Sequence, residues 1–339
     1  MSNTKYNIFF LIIFSISCFG KQFDKIFTVY ESIDDSSQIE SAIKNSFDTM
    51  IHRLSGDESV SNIWKIINSG NARKDFIISY SIKTQNEKSF LEVKFDKNLL
   101  ISSFNQLSIP IVGNSRPVIL FIINVDPGST EPYFVSNSKS NSELDNLIKN
   151  YLKFESLARG IFLEIPEIDL LDFDEFKNYK KLIDYKKFFT DKYVFDEIVI
   201  INISKIGLDK WIISRDMKLS LDNKNFNDLF MQAFNDYTRK KINNLLLMNR
   251  IDTSVQNFIE VSISNIETYE DYQESRRIMN NFIGLRDISI KKFNVNTIYY
   301  QLEIYGTVDS FIKEVNENNF FIVNEIFNDA SFINLDYIK

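Results

Sequence analysis

Apolar residues recur along this chain with a period of three to four residues in some segments and of two residues in others. From 39 to 54 they follow helical spacing, and Gly56 comes directly after them, as glycine does at many helix ends. The segments 75–83 and 89–95 are rich in strand-forming residues and are joined by a polar turn, which indicates a β-hairpin. Asp96 then has the position of a helix N-cap. We expect four apolar side chains of that helix to face inward: Leu99, Leu100, Phe104 and Leu107.

The middle of the chain has the order strand, helix, strand. Residues 118–125 form an apolar run rich in β-branched side chains, which predicts a strand that is buried on both faces in a parallel sheet. A helix is predicted at 142–158, and a second strand follows it. Two further strands at 199–204 and 211–220 and a long helix at 225–248 complete this part.

The last part of the chain has the predicted order βαββαβ. Its segments are a strand at 258–264, a helix at 269–282, strands at 286–293 and 297–305, a helix at 307–316 and a strand at 319–323. This order is typical of a ferredoxin-like unit. The sequence therefore predicts a mixed α/β and α+β fold. Its units are an N-terminal α+β unit at 21–112, a Rossmann-like βαβ unit at 113–250, a ferredoxin-like unit at 255–325 and a tail at 326–339.

The chain begins with a short apolar segment. Residues 8–19 read IFFLIIFSISCF, and about 12 residues are too few for a membrane-spanning helix, which needs roughly 20. We therefore expect a signal peptide at 1–20, cleaved after Gly20, and a protein exported to the periplasm or the cell envelope. The alternative is that Cys18 becomes a lipidated first residue and attaches the protein to the membrane.

Composition limits the possible functions. The formal net charge is −7, and Lys and Arg form no basic cluster, which argues against a nucleic-acid partner. Hydrophobic residues make up 44% of the chain, enough for ordered cores, and the length exceeds what one core usually organises. Cys18 is the single cysteine, so cleavage after Gly20 would leave no thiolate for catalysis or for a metal.

No pattern of residues specifies a reaction. His52 is the single histidine and stands near a helix end, where we expect a surface or capping role. We found no glycine-rich nucleotide-binding motif, and we expect no cofactor, metal site or catalytic residue. An acidic set follows a predicted strand and is the one candidate for paired carboxylates or a divalent cation. It consists of Glu164, Glu167, Asp169, Asp172, Asp174 and Glu175.

Two further positions suggest polar contacts. Asp57 is close to Arg53 and to a turn, so its carboxylate is expected to bond backbone amides or to pair with that arginine. Arg116 precedes the buried strand, where its guanidinium would bind a carboxylate of a partner or of the Asp96 loop, the internal ion pair being preferred. The complete set of candidate binding residues is Arg53, Asp57, Asp96, Arg116, Arg159, Asp169 and Asp172.

Four motifs between residues 25 and 325 resemble a proteobacterial family, domain of unknown function 2066. They are Arg53-Leu-Ser-Gly-Asp57, Phe95-Asp96 with the leucines at 99 and 100, Ile109-Pro-Ile-Val-Gly113 leading to Arg116-Pro117, and Arg159-Gly160 followed by Pro166, Asp169, Leu170 and Asp172. The family often has Trp where this chain has Val112. The resemblance implies export and a three-part α/β architecture, and it implies no known activity.

These observations favour a non-catalytic envelope protein that binds another protein or an envelope polymer, as an accessory or scaffold factor. One alternative is a carboxylate- or metal-dependent hydrolase that uses the acidic residues of 164–175. Another is a subunit of an oligomeric envelope assembly, for which an exposed apolar patch is expected. The sequence does not specify the oligomeric state.

Overall fold

The computed structural model describes residues 21–23, 25–85, 88–167, 189–190, 192–327 and 331–338. These residues form seven α-helices and mixed sheets, with about 37% helix and 36% strand, which confirms the predicted α/β and α+β class. Most buried apolar side chains gather in three clusters that follow one another along the chain. The expected leader at 1–20, with Cys18, lies outside the described residues.

The first cluster lies between helices and a three-stranded antiparallel sheet. The elements of this unit are β1 (Lys21–Gln22), β2 (Thr28–Ile33), α1 (Ile39–Ser55), α2 (Val60–Asn68), β3 (Ile77–Gln85), β4 (Lys88–Phe95) and α3 (Lys97–Gln106). The sheet has the order β2-β4-β3. As predicted, Asp96 caps α3 by accepting a hydrogen bond from the Leu99 amide (3.0 Å). Leu100 and Phe104 are buried, but Leu99 is 49% exposed, so the expectation that it faces inward is wrong.

Gly56 ends α1 with φ +65, as predicted. A Cβ atom at this position would lie 2.7 Å from Val112 Cγ2, so both the backbone conformation and the close packing require glycine. Val112 belongs to β5 (Ile111–Val112), and β6 (Ser115–Arg116) follows and pairs antiparallel with β1.

The second cluster is organised around a buried strand. The elements of this unit are β7 (Val118–Asp126), β8 (Tyr133–Phe134), α4 (Glu143–Arg159), β9 (Phe162–Glu164), β10 (Glu197–Ile206), β11 (Lys210–Arg215), β12 (Leu219–Asp222) and α5 (Phe226–Met248). Residues 118–123 of β7 are all buried, and β7 pairs parallel with β9 and β10, so the expectation of a strand buried in a parallel sheet is confirmed. The strand expected at 211–220 is divided into β11 and β12, because Arg215 has φ +83 and Asp216 turns back to accept the Ile200 amide.

The third cluster packs two helices against a five-stranded sheet. The elements of this unit are β13 (Arg250–Ile251), β14 (Gln256–Ser264), α6 (Tyr269–Asn280), β15 (Leu285–Asn294), β16 (Thr297–Tyr305), α7 (Val308–Asn316), β17 (Phe321–Phe327) and β18 (Phe332–Tyr337). The sheet has the order β15-β16-β14-β18-β17, and β13 pairs with β5 of the first unit.

β18 corrects the sequence-based expectation for the C-terminus. The segment 326–339 was expected to be a tail beyond a βαββαβ unit, but β18 inserts between β14 and β17 and pairs parallel with β14. Its residues Ile333, Leu335 and Tyr337 are buried, which is the alternation expected of a strand with one face on a core. The order of this unit is therefore βαββαββ.

Candidate functional site

Arg53, the first of the predicted binding residues, is buried. It stands in the last turn of α1, and its Nη1 donates to the carbonyls of Ile26 and Thr28 at 2.7 Å each. Its Nη2 and Nε donate to the carbonyls of Leu157 (2.6 Å) and Ala158 (3.2 Å). Since those two carbonyls belong to the end of α4, Arg53 caps the C-terminus of a helix in another unit.

Arg159 and Arg116 likewise donate hydrogen bonds to carbonyls at the C-terminal end of α1. Arg159 is the last residue of α4, and its Nη2 donates to the carbonyl of Gly56 (3.2 Å) while its Nη1 pairs with Glu58 (2.5 Å). Arg116 is fully buried and donates to the carbonyls of Arg53 (2.9 Å) and Val112 (3.2 Å). Each of the two helices therefore presents an arginine to the carbonyl end of the other, and we call Arg53, Arg116 and Arg159 the arginine junction.

The arginine junction is a structural element. Burial lowers the pKa of all three guanidinium groups, to about 9 for Arg116, which remains charged at neutral pH. Their exposed fractions are 4% or less, so they face the interior and not a partner. The ion pair expected between Arg116 and the Asp96 loop is not formed among the described residues, because Arg116 donates to backbone carbonyls instead.

The other predicted residues have local roles or lie outside the described chain. Asp57 accepts the Ser59 amide (2.9 Å) and pairs with Arg250 (3.5 Å), and Asp96 caps α3. Of the acidic set, Glu167 accepts from the amide and the hydroxyl of Ser138 (2.9 and 2.8 Å), whereas residues 168–188, with Asp169 and Asp172, are outside the described residues.

His52 is partly buried on α1. Burial and the neighbouring Arg159 lower its pKa, so the imidazole is neutral at physiological pH, and Nε2 has no partner among the described residues. The expected surface or capping role does not describe this environment.

A second buried polar group joins the third unit to the segment that precedes β7. Glu314 of α7 is 4% exposed and accepts three backbone amides: Asn114 (2.9 Å), Ile283 (3.1 Å) and Gly284 (3.0 Å). Burial raises the pKa of this carboxyl group, while the three amides favour the carboxylate. Glu314 therefore fixes the loop between α6 and β15 relative to residues 113–115.

A cleft of about 830 Å³ lies between α3 and the start of β15. One wall is a single face of α3, with amide and hydroxyl side chains, and the other consists of the α6–β15 loop and four consecutive residues of β15. The volume is in the range of known ligand sites. We call it the amide cleft. Its lining residues that carry polar side chains are Lys97, Asn98, Ser102, Asn105, Gln106, Asn280, Asn281, Arg286, Asp287 and Tyr305.

Two of the three charged side chains that line the amide cleft, Lys97 and Arg286, are engaged within the protein, and Asp287 is the third. Lys97 Nζ donates to the Asn280 carbonyl (3.1 Å), and Arg286 forms a salt bridge with Glu303. Burial lowers the pKa of Lys97. The cleft thus offers mainly neutral donors and acceptors, with Ile101, Leu285 and Ile288 as apolar contacts. This site could not be recognised from the sequence, because a face of α3 with amide and hydroxyl side chains is also the ordinary solvent face of an amphipathic helix.

An apolar patch lies at the other end of β15. Four side chains there are strongly exposed: Tyr269 (70%), Ile290 (46%), Phe293 (60%) and Val295 (90%). They border a shallow cavity of about 480 Å³ with Tyr272 and Ile266. Contiguous exposed apolar residues of this kind mark interaction surfaces in many proteins.

Within the described ranges, no group of three or more histidine, cysteine, aspartate or glutamate side chains is placed to hold a metal ion. None of the described helices is both long enough and apolar enough to cross a membrane. No protein-family model matches the chain, and neither a curated protein nor a solved structure with significant similarity was found. The resemblance to domain of unknown function 2066 therefore stays a prediction.

Proposed function

We propose that this chain is a non-catalytic binding protein of the cell envelope and that its partner occupies the amide cleft. The supporting observation is that the cleft has the size of a ligand site and that most of its polar side chains are neutral amides and hydroxyls, which recognise hydrogen-bonding groups without transferring protons at neutral pH. Export is the expectation from the leader at 1–20.

The rigidity of the cleft walls supports the same proposal. α3 is tied to the α6–β15 loop by Lys97, and that loop is also held by Glu314 and by Asn114, whose Nδ2 donates to the Asn281 carbonyl (2.6 Å). A further contact joins the loop between β13 and β14 to the segment between α3 and β5. There the Thr253 hydroxyl donates to the Ile109 carbonyl (3.1 Å). Walls that are fixed before binding reduce the entropy lost on association.

The test is site-specific photo-crosslinking in the cells that make the protein. The photoreactive amino acid p-benzoylphenylalanine replaces Ser102, which is exposed in the cleft, or Ser41, which is exposed on α1 and outside the cleft. We expect a cross-linked product of defined mass from position 102 only. Equal products from both positions, or none from position 102, would contradict the proposal. A change in the partner's covalent mass after incubation with the purified chain would contradict the non-catalytic role.

The apolar patch favours a second candidate, a subunit of an oligomeric assembly. Val295 and Phe293 are the most exposed of its residues on the β15–β16 hairpin, where burial against another subunit would remove apolar area from water. Light scattering would show a mass above that of the 39.8 kDa chain, and Phe293→Ser would return it to the monomer. A monomer at all concentrations would refute this candidate.

The hydrolase alternative depends on Asp169 and Asp172, which lie outside the described residues, and it stays a prediction.

A further inference from the structure

The start of β15 borders the amide cleft with its backbone. Successive side chains of a strand point to opposite faces of its sheet. Asp287 and Ile288 are consecutive in the regularly paired part of β15 and both line the cleft, so the cleft reaches the edge of β15 and not one face alone. Since β15 is the terminal strand of the order β15-β16-β14-β18-β17, this edge has no pairing strand among the described residues.

An edge strand leaves backbone N–H and C=O groups available for another strand. Lysine residues and bulges commonly prevent such edges from pairing with another chain. The second half of β15 has both features, a bulge between Ile290 and Lys292 and the side chains of Lys291 and Lys292. A first irregularity lies between Leu285 and Asp287, and regular pairing with β16 extends from Asp287 to Ile290. The part of the edge that faces α3 therefore contains one bulge but no lysine.

The opposite wall has complementary chemistry and length. Each amide side chain of α3 carries a donor and an acceptor, as a peptide group does, and Asn98 and Asn105 lie on the face that lines the cleft. Asn105 bonds the Tyr305 hydroxyl, and its Oδ1 is buried without a partner among the described residues. Four strand residues span about 13 Å, and the ten residues of α3 span about 15 Å, so a segment of four or five extended residues would contact both walls.

We propose that the partner in the amide cleft is an extended polypeptide segment, which adds as a strand to the edge of β15 and bonds the amide side chains of α3. This inference rests on the proposed function and names the partner class for the same site. Lys97 and Arg286 are engaged within the protein, so neither cation is available to attract an anionic ligand. Backbone pairing supplies the affinity, and Ile101 and Ile288 contact the side chains of the segment.

The test uses the purified full chain and a display library of random linear 12-residue peptides. Enriched peptides should bind wild type and the control Ser41→Trp equally, and Ser102→Trp should weaken binding at least tenfold because the indole fills the cleft. Amide hydrogen exchange at residues 286–288 should slow when peptide is bound.

The best peptide is then N-methylated at one backbone position at a time. Strand addition predicts loss of binding at alternate positions, because only every second amide of the segment faces β15. Tolerance of methylation at every position would overturn strand addition, since the peptide would then bind through its side chains alone. The polypeptide assignment would be overturned if the chain bound neutral oligosaccharides but no peptide, and if Ser102→Trp abolished that binding.

The proposed function and the proposal of strand addition can be refuted independently of each other. If the library yields no cleft-dependent peptide while position 102 still cross-links to a partner in cells, strand addition is wrong and the proposed function stands. If neither result is obtained, both are wrong.

Discussion

Glu317 provides a pH-dependent test of how the third unit is packed. It follows the end of α7, is 8% exposed, and its Oε2 has no hydrogen-bond partner among the described residues. It borders a cavity of about 10 Å³ with Glu314 and Asn114, which is room for one water molecule. Burial raises the pKa of Glu317 to about 8, and Asp196 and Glu314 add to the shift while Lys313 opposes it. The folded protein therefore holds Glu317 neutral at pH 7.

The free energy follows from that pKa. A carboxyl group whose pKa is raised on folding stabilises the native state fully below the unfolded value of 4.5 and loses that contribution as the pH rises to about 8. Each pKa unit corresponds to about 1.4 kcal/mol. Between pH 4.5 and pH 7 the unfolded chain thus gains up to about 3 kcal/mol from ionising this residue while the folded chain gains none. Glu317→Gln removes this difference, because glutamine does not ionise.

We expect Glu317→Gln to match wild type near pH 4.5 and to be more stable by about 2 to 3 kcal/mol at pH 7. The assay is urea unfolding followed by circular dichroism at several pH values between 4.5 and 8. Glu325→Gln, at an exposed position of β17, is the matched control and should leave the pH dependence unchanged. Ionisable groups distant from position 317 are common to all three proteins, so their pH effects cancel in the differences. A difference between Glu317→Gln and wild type that does not vary with pH would refute the reasoning.

Three further predictions, two at buried contacts and one at a helix cap, are each tested by urea unfolding. Arg116→Met should cost about 3 kcal/mol, because two buried carbonyls lose their donors, and a loss below about 1 kcal/mol would contradict the junction. Gly160→Ala should cost more than about 1 kcal/mol, since φ is +59 and the new Cβ would lie 2.9 Å from Arg53 Cγ. Gly70→Ala, with φ +98 and no atom within 4 Å, should cost less, and equal losses would argue against the close contact. Asp96→Ala should cost about 1 kcal/mol by removing the α3 cap, and no loss would show that the cap is unimportant.

Local sequence patterns identified most elements because the signals for helices and strands are themselves local. The helical spacing and Gly56 placed α1, and the run at 118–125, apolar except for Asn124, indicated β7. β18 was missed because six residues near a chain end, with moderate alternation, do not distinguish a strand from a tail. Leu99 was misplaced because helical spacing does not identify which of two neighbouring leucines faces the core.

The roles of the charged residues could not be predicted, since they depend on contacts between distant segments. Arg53 caps carbonyls more than one hundred positions away in the chain, and Glu314 accepts an amide two hundred positions away. A sequence shows that an arginine stands at a helix end, but not whether its donors meet a carboxylate, a carbonyl or solvent. The acidic set is a cluster of carboxylates that follows a predicted strand, and of its two described members, Glu164 and Glu167, the second bonds Ser138 of a loop.

The arginine junction and the amide cleft are connected through the segment 109–116. This segment holds Val112, whose carbonyl accepts from Arg116, and Asn114, which bonds both Glu314 and the carbonyl of Asn281. The contacts that position α1 against α4 therefore continue, through a few residues, to the loop that forms one wall of the cleft. Loss of Arg116 should accordingly weaken peptide binding as well as stability, even though no atom of Arg116 lines the cleft. If Arg116→Met unfolds more easily but binds the library peptide with unchanged affinity while folded, the two regions are independent.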